Sequence, residues 1–312
     1  MSEPRVEWVA EDPASRRVID TALRAAQAGT TLLITGESGA GKDQLARYIH
    51  QSGPRRDAPY QKIDCASLPP ELVESELFGH ERGAFTGAVE AKRGRLEAAG
   101  RGTLVLDEVA ALSIAVQAKL LRVLEERRFE RLGGTETLHM DARVIALTNA
   151  NLERAVAEHR FREDLFFRLN VLAIEIPPLR VRHADILPLA AHLMARLGPV
   201  HGRPEVRLDS EAQAALAAYA WPGNVRELKN TIERALVFAR QDVLGVEDLP
   251  ESVRAAGRGK RTPAGLRSLE EIEKEAIAAT LEATHYKITR AAEVLGISRK
   301  TLLEKRKRYG LM

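Results

Sequence analysis

A chain of 312 residues with 45% apolar and 29% charged side chains has enough hydrophobic material for one large domain or two to three smaller ones, which excludes a disordered polymer. No apolar run approaches the roughly eighteen residues of a membrane span, and the start from Met1 to Val9 lacks a basic-then-apolar leader pattern, so a cytoplasmic address and no membrane partner are expected. The single cysteine, Cys65, excludes an internal disulfide and reads as a buried structural residue; the net charge of only +3 conceals a basic end in which Arg299, Lys300, Lys305, Arg306, Lys307 and Arg308 have Glu304 as their acidic neighbour.

Along residues 1–176, short apolar runs alternate with longer amphipathic stretches, which predicts an α/β unit with a largely parallel sheet. Five strands are expected, at Thr31 to Thr35, Tyr60 to Asp64, Thr103 to Leu106, Arg143 to Thr148 and Val171 to Ile176. Pro177 and Pro178 then mark a boundary, because proline removes a backbone donor and biases its predecessor away from helix. From Ala184 to Arg240 the period is helical, and residues 177–250 read as an all-helical lid, with Ser210 and Gln213 spaced as a capping box and Pro222-Gly223 separating two helices. Residues 251–267, with Gly257, Gly259, Pro263 and Gly265 among basic residues, have the composition of a linker. A last module, 268–312, opens on a second capping box at Ser268 and Glu271.

Gly36, Glu37, Ser38, Gly39, Ala40, Gly41 and Lys42 follow a predicted strand and precede a predicted helix, the setting a phosphate-binding loop requires. The glycines let backbone amides approach phosphate oxygens, Lys42 adds a point charge for the β- and γ-phosphates, and the helix contributes its positive end. Asp43 stands where the general pattern has Ser or Thr to ligate magnesium. Downstream, Leu104, Val105 and Leu106 run into Asp107 and Glu108, and buried strands rarely end on two carboxylates. Standing alone, the pair would read as an acidic helix cap. Beside a phosphate loop, Asp107 would hold Mg2+ directly or through water and Glu108 would polarise an attacking water, which implies hydrolysis of ATP.

Asn149 closes another predicted strand, where it could orient water or sense a γ-phosphate. Arg162 and Arg168 lie six positions apart on a short predicted helix, separated by a rotation of about 240° around its axis, so they cannot share one role. One or both could reach a neighbouring subunit's γ-phosphate and stabilise transition-state charge.

Gly83, Ala84, Phe85, Thr86, Gly87 and Ala88 set two glycines around an aromatic residue that has no obvious core to enter, which predicts a projecting loop with an apolar tip. This segment resembles the signature of the sigma-54-dependent activators, the bacterial enhancer-binding proteins of the AAA+ class. Residues 36–43, 102–108, 161–170, Pro177 to Arg180 and Trp221 to Leu228 resemble further motifs of that family, from about Pro13 to the C-terminus. The resemblance implies a P-loop AAA+ domain with a five-stranded parallel sheet, a helical lid and a separate helix-turn-helix. It further implies an ATP-hydrolysing homo-oligomeric ring, expected to be a hexamer, that remodels sigma-54 RNA polymerase holoenzyme from the closed to the open promoter complex.

Carried onto this chain, the resemblance gives phosphate binding to Lys42, magnesium to Asp107 and water activation to Glu108. Phe85 and Thr86 would touch sigma-54, Asn149 would be a sensor, Arg162 and Arg168 a finger pair, and Arg226 a second sensor in the lid. An acidic residue at position 43 is common in the family. Asp64 departs from it, since relatives commonly carry Asn there to switch the catalytic glutamate between poses. A carboxylate cannot donate as an amide does and would repel Glu108 unless a proton or cation intervened.

Thr289 to Leu302 has the pattern of a helix-turn-helix: Ala291 and Ala292 allow close crossing, Gly296 permits a tight turn, and Ser298 caps the next helix. Arg299, Lys300 and Thr301 then fall at the start of a recognition helix, where side chains meet base edges, while Lys305 and its basic neighbours would meet phosphates of double-stranded enhancer DNA. The segment resembles the Fis-type domain of the family, whose members bind as dimers. About a dozen residues precede the ATPase, where relatives often carry a regulatory domain; either a separate protein controls this one in trans, or the sequence is a piece of a longer chain. An alternative in which the ATPase fold serves assembly alone predicts damaged catalytic residues, and only Asp64 is ambiguous.

Overall fold

The computed structural model describes residues 6–239, 241–257, 269–284 and 286–309. The chain divides after Gly257 into two compact units. In the first, strands β1 (Leu32–Thr35), β2 (Tyr60–Asp64), β3 (Thr103–Asp107), β4 (Arg143–Thr148) and β5 (Leu172–Glu175) form one parallel sheet in the order β2-β3-β4-β1-β5. The expected strands are all present, within a residue or two at their ends.

Side-chain alternation sends Leu33, Ile63, Leu104, Leu106, Val144 and Ala146 into one apolar layer and Leu32, Ile34, Val105, Ile145 and Leu147 into the opposite one. Helices α1 (Pro13–Gln27) and α2 (Lys42–Ser52) contribute to the second layer. Helices α3 (Pro70–Phe78), α4 (Arg95–Ala99), α5 (Ile114–Glu126), α6 (Leu152–Ala157) and α7 (Glu163–Leu169) contribute to the first. Burial on both faces is why the central strands are nearly continuous apolar runs. The strand order places the loops after β1, β2, β3 and β4 along one carboxyl edge, where open α/β sheets bind ligands.

The lid packs α8 (Ile186–Leu197), α9 (Ser210–Ala218), α10 (Asn224–Phe238) and α11 (Glu251–Gly257) around Trp221, which is fully buried and donates its indole N–H to the Leu216 carbonyl at 2.9 Å. Truncating such a ring to alanine costs roughly 3–5 kcal/mol. Three local expectations change. The cap of α9 is Asp209, whose carboxylate accepts from the Ala212 amide, and not Ser210, because the aspartate already satisfies that orphan donor. Residues 251–257, expected in the linker, form α11, since Val253 is apolar enough to join the lid core. The lid also carries a short parallel pair, Arg207–Leu208 with Val243–Leu244, so it is not wholly helical.

The second unit packs α12 (Leu269–Ala283), α13 (Ile288–Leu295) and α14 (Arg299–Arg308) around Ile277, Leu281, Ala291, Ala292 and Leu302. Gly296 ends α13 at φ +65°, a left-handed conformation that glycine adopts without a Cβ penalty. The expected cap Ser268 and linker residues 258–267 lie outside the described residues. Among the described residues, no helix is long and apolar enough to cross a membrane.

Candidate nucleotide-binding site

Three glycines of the loop after β1 have positive φ: Gly36 at +147°, Gly39 at +76° and Gly41 at +112°. A Cβ on Gly39 would fall 2.5 Å from the Gly223 carbonyl oxygen, so the lid backbone is seated on this turn. The loop delivers Lys42 into the first turn of α2, where its ammonium donates to the Gly36 carbonyl at 2.9 Å. Burial lowers the Lys42 pKa, opposed by the charges of Glu108 and Asp107. Glu108 stands 3.6 Å from that ammonium and accepts from the Asn149 backbone amide at 3.1 Å. Glu108 itself has φ +52°, an unusual conformation for a non-glycine residue that turns the chain sharply off β3.

These groups line a cleft of about 1010 Å³ that also includes Trp8, Asp64 and Arg226. Its size, glycine turn and buried cation suit a nucleotide triphosphate. Lys62 of β2 places its ammonium 2.8 Å from Asp43 and 2.8 Å from Asp107, both of which line the cleft, so two carboxylates already share one cation. Hard oxygen donors in a set this small suit Mg2+, which is bound by one or two carboxylates with substrate phosphates supplying further oxygens. Among the described residues no cluster of three or more His, Cys, Asp or Glu forms a metal cage of its own.

The lid closes on the loop through a second set of contacts. Arg180 donates to Glu37 at 2.8 Å, and the buried Asn224, in a left-handed conformation at φ +52°, donates to both Glu37 and the Ser38 carbonyl at 3.1 Å. Arg226, the expected second sensor, donates to the Ser38 hydroxyl at 2.8 Å. Arg182, buried beside Asp185, donates to the Ala40 carbonyl at 2.7 Å, and Asp185 accepts from the Glu11 and Asp12 amides ahead of α1.

Hydrogen bonds from Arg180 and then Asn224 hold the Glu37 carboxyl down at about 2 from an ordinary 4.5. Because the folded-state value is the lower one, the clasp favours the closed lid fully above pH 4.5, and this contribution is lost as pH falls toward 2. In Arg180→Ala, Glu37 is expected to titrate closer to the ordinary value, readable by carboxyl NMR. An unchanged midpoint would remove Arg180 as the cause.

Asp64 differs from expectation. Its carboxylate accepts from the backbone amides of Ala66 and Ser67 at 3.0 and 3.2 Å, capping its own turn, while Glu108 is held by Lys42 and Asn149. Asn149 likewise engages Glu108 through its main chain, and its side chain is exposed. Cys65 is buried, and burial, with the charges of Asp64, Asp107 and Glu108, pushes its thiol up to about 12, which keeps it protonated and inert.

Arg162 and Arg168 lie away from this cleft, at opposite ends of α7. Arg162 pairs with Asp164 at 2.7 Å, and Arg168 donates to the Leu124 carbonyl of α5 at 2.8 Å. Gln117, fully buried on α5, accepts from the Arg162 amide at 2.8 Å and donates to the Leu112 and Arg160 carbonyls.

The loop 83–88 projects as expected. Gly83 and Gly87 have φ of +82° and +104°, and the Gly83 amide donates to the Ala88 carbonyl at 2.8 Å, closing the turn. Phe85 is 42% exposed and meets the His80 ring edge-on at 5.0 Å; Thr86 is exposed, while Ala88 is buried at the base. A hairpin, Arg128–Glu130 with Thr137–His139, shoulders this loop: Gly133 abuts Ala84 closely, and Arg131 joins Glu81 at 2.7 Å to Glu97 at 3.0 Å.

In the second unit Ser298 caps α14 by accepting from the Thr301 amide at 3.1 Å, with the Thr301 hydroxyl turned back toward it. Arg299 and Lys300 are exposed at the first turn. Lys305, expected to face phosphates, is instead paired with Glu273 of α12, which also accepts from the Tyr309 hydroxyl.

The sequence places Arg180 and Asn224 in family-like motifs without giving them a role, and gives no signal for Arg182 or Trp8. One signal was present for Lys62: it sits two residues before Asp64 on β2 and shares its face of the sheet, while Asp64 pairs in register with Asp107.

A family model described as the sigma-54 interaction domain matches residues 8–175, one described as the AAA+ ATPase lid domain matches 180–266, and one described as bacterial regulatory protein, Fis family, matches 268–309. The chain is 45% identical over 307 residues to regulatory protein AtoC of Escherichia coli (strain K12), covering 96% of this chain and 67% of that protein. It is 47% identical over 291 residues to the nitrogen fixation protein VnfA of Azotobacter vinelandii, covering 92% of this chain and 56% of VnfA. It thus spans between about half and two thirds of the length of these relatives. Among solved structures, NtrX from Brucella abortus in complex with ADP matches with a TM-score of 0.73 at 34% identity, over 99% of this chain and 70% of that one. NtrX in complex with ATP matches at 0.72 and 36%, over 98% and 69%. The three models match in the order of the sheet domain, the lid and the C-terminal helices, and the chain belongs to the sigma-54-dependent transcriptional activator family, with AAA+, lid and Fis-type helix-turn-helix domains.

Proposed function

We propose that this protein hydrolyses ATP at the junctions of a cytoplasmic homo-oligomeric ring, expected to be a hexamer, and uses the cycle to drive sigma-54 RNA polymerase holoenzyme from closed to open promoter complex while held on enhancer DNA. The observation that carries the reading is the placement of Glu108, poised between the Lys42 ammonium and the Asn149 amide at the mouth of a glycine-built cleft. Lys42 exchanges its carbonyl partners for the β- and γ-phosphates of the substrate. Glu108 orients the attacking water as general base. Asp107, with Asp43 beside it, would hold magnesium, which when bound would supply positive charge for the phosphate oxygens. Arg162 or Arg168 of one subunit meets the γ-phosphate bound to its neighbour, and Arg226 and Asn149 sense the same group. The exposed Phe85 and Thr86, on the turn from Gly83 to Ala88, engage sigma-54. Arg299, Lys300 and Thr301 meet base edges, with Ser298 holding their helix start; paired modules would read half-sites about 34 Å apart. Control by a separate protein acting in trans is part of the same proposal.

The test is open-complex formation on a promoter melted at its start site, with ATP and magnesium and either sigma-54 or sigma-70 holoenzyme. Opening is expected only with sigma-54 and only with nucleotide; opening with sigma-70 alone, or without nucleotide, overturns the reading. In the same assay Phe85→Ala is expected to lose promoter opening and sigma-54 capture in an ADP–metal fluoride state while ATP turnover stays within about threefold, since the Phe85 ring packs edge-on against His80 and does not line the cleft.

A further inference from the structure

We propose that Lys62 is an internal counter-ion that stands in the divalent-cation position of the cleft, so that metal entry displaces it and Lys62 sets the magnesium concentration at which the protein works. The inference rests on the nucleotide reading of the cleft and concerns a residue that reading does not use.

The ammonium of Lys62 lies at the same 2.8 Å from a carboxylate oxygen of Asp43, in the first turn of α2, and of Asp107, at the end of β3. One ammonium thus bridges a carboxylate on the helix that follows the phosphate loop and a carboxylate at the end of β3. The arrangement follows from the sheet. β2 and β3 are parallel with Lys62 opposite Val105 and Asp64 opposite Asp107, so a four-carbon stem on the residue two before Asp64 reaches diagonally to the carboxyl edge.

Three carboxylates, Asp43, Asp107 and Glu108, thus face two ammonium groups, Lys42 and Lys62. Lys42 is committed to the phosphate side, leaving Lys62 as the cation that screens the two aspartates from each other. Its side chain is 31% exposed, so each pair is worth little as a stability term, but a like charge that close still opposes a divalent ion. Neutralising it leaves Asp43 and Asp107 facing each other with a stronger pull on the metal. Lysine suits a displaceable role because its ammonium is a point charge on a flexible stem.

The experiment titrates Mn2+ into the whole 312-residue chain at saturating ADP and reads free Mn2+ by electron paramagnetic resonance, for wild type, Lys62→Met, Lys62→Gln and Lys62→Arg, with circular dichroism as the check of folding. Both neutral variants are expected to bind Mn2+ roughly three- to tenfold more tightly than wild type, and Lys62→Arg to remain near wild type because it keeps the charge. Adding Asp107→Asn to Lys62→Met should abolish the gain. Native-like neutral variants that bind Mn2+ equally or more weakly overturn the inference alone. Failure of the wild type to take up Mn2+ with ADP overturns the nucleotide reading and the inference with it.

Discussion

Glu108→Gln is expected to lower ATP turnover by about 10²- to 10⁴-fold, the usual contribution of a positioned general base, while the protein still binds nucleotide. The substitution is nearly isosteric, so the left-handed turn at φ +52° and the hydrogen bond from the Asn149 amide survive it. What it removes is the negative charge 3.6 Å from Lys42 and the ability to take a proton from water. Loss of that charge leaves Lys42 freer to meet phosphate, so ADP and ATP affinities should hold or rise. Turnover under single-turnover conditions, set beside calorimetric nucleotide binding, separates the two effects. A Glu108→Gln protein that hydrolyses ATP within tenfold of wild type would mean that Glu108 serves only as the partner of Lys42.

The second large effect concerns the arginines of α7. Arg162→Ala or Arg168→Ala is expected to cost about 10³-fold or more in turnover, because an arginine supplied from outside the site stabilises charge that appears only in the transition state. Neither arginine touches the cleft of its own subunit: Arg162 pairs with the half-exposed Asp164, and Arg168 with the end of α5. If they act across a junction, mixing Arg162→Ala subunits with Glu108→Gln subunits must restore activity. In a ring of head-to-tail contacts, about a quarter of the junctions in an equal mixture then have both an intact glutamate and an intact arginine. Mixed rings no more active than either parent would place the arginine's action within its own chain.

The parts of this molecule that could be read directly from sequence are those in which one residue type at one position has a local cause. The central strands β1, β3 and β4 stood out because both faces are buried, and the phosphate loop because glycine alone suits its backbone. The hairpin Arg128–Glu130 with Thr137–His139 did not, since three-residue strands with polar outward positions carry no usable period. Nor did the lid clasp: Glu37 meets Arg180 and Asn224 across 143 and 187 residues, a pairing set by how the lid folds back. The Asp64 departure was visible, but the direction its carboxylate takes was not, because its own turn offered two amides that sequence comparison does not weigh. Lys305 was read as part of a basic run, whereas Glu273, far earlier in the chain, claims it.

Gln117 has a mechanical consequence. Two of its three hydrogen bonds, with Arg162 and Arg160, stitch the start of α7 to α5, and Arg168 stitches the other end of α7 to the same helix. Helix α5 runs directly into the hairpin whose Gly133 abuts Ala84. A displacement of α7 is therefore expected to pass to α5 and to the hairpin against which the 83–88 loop rests.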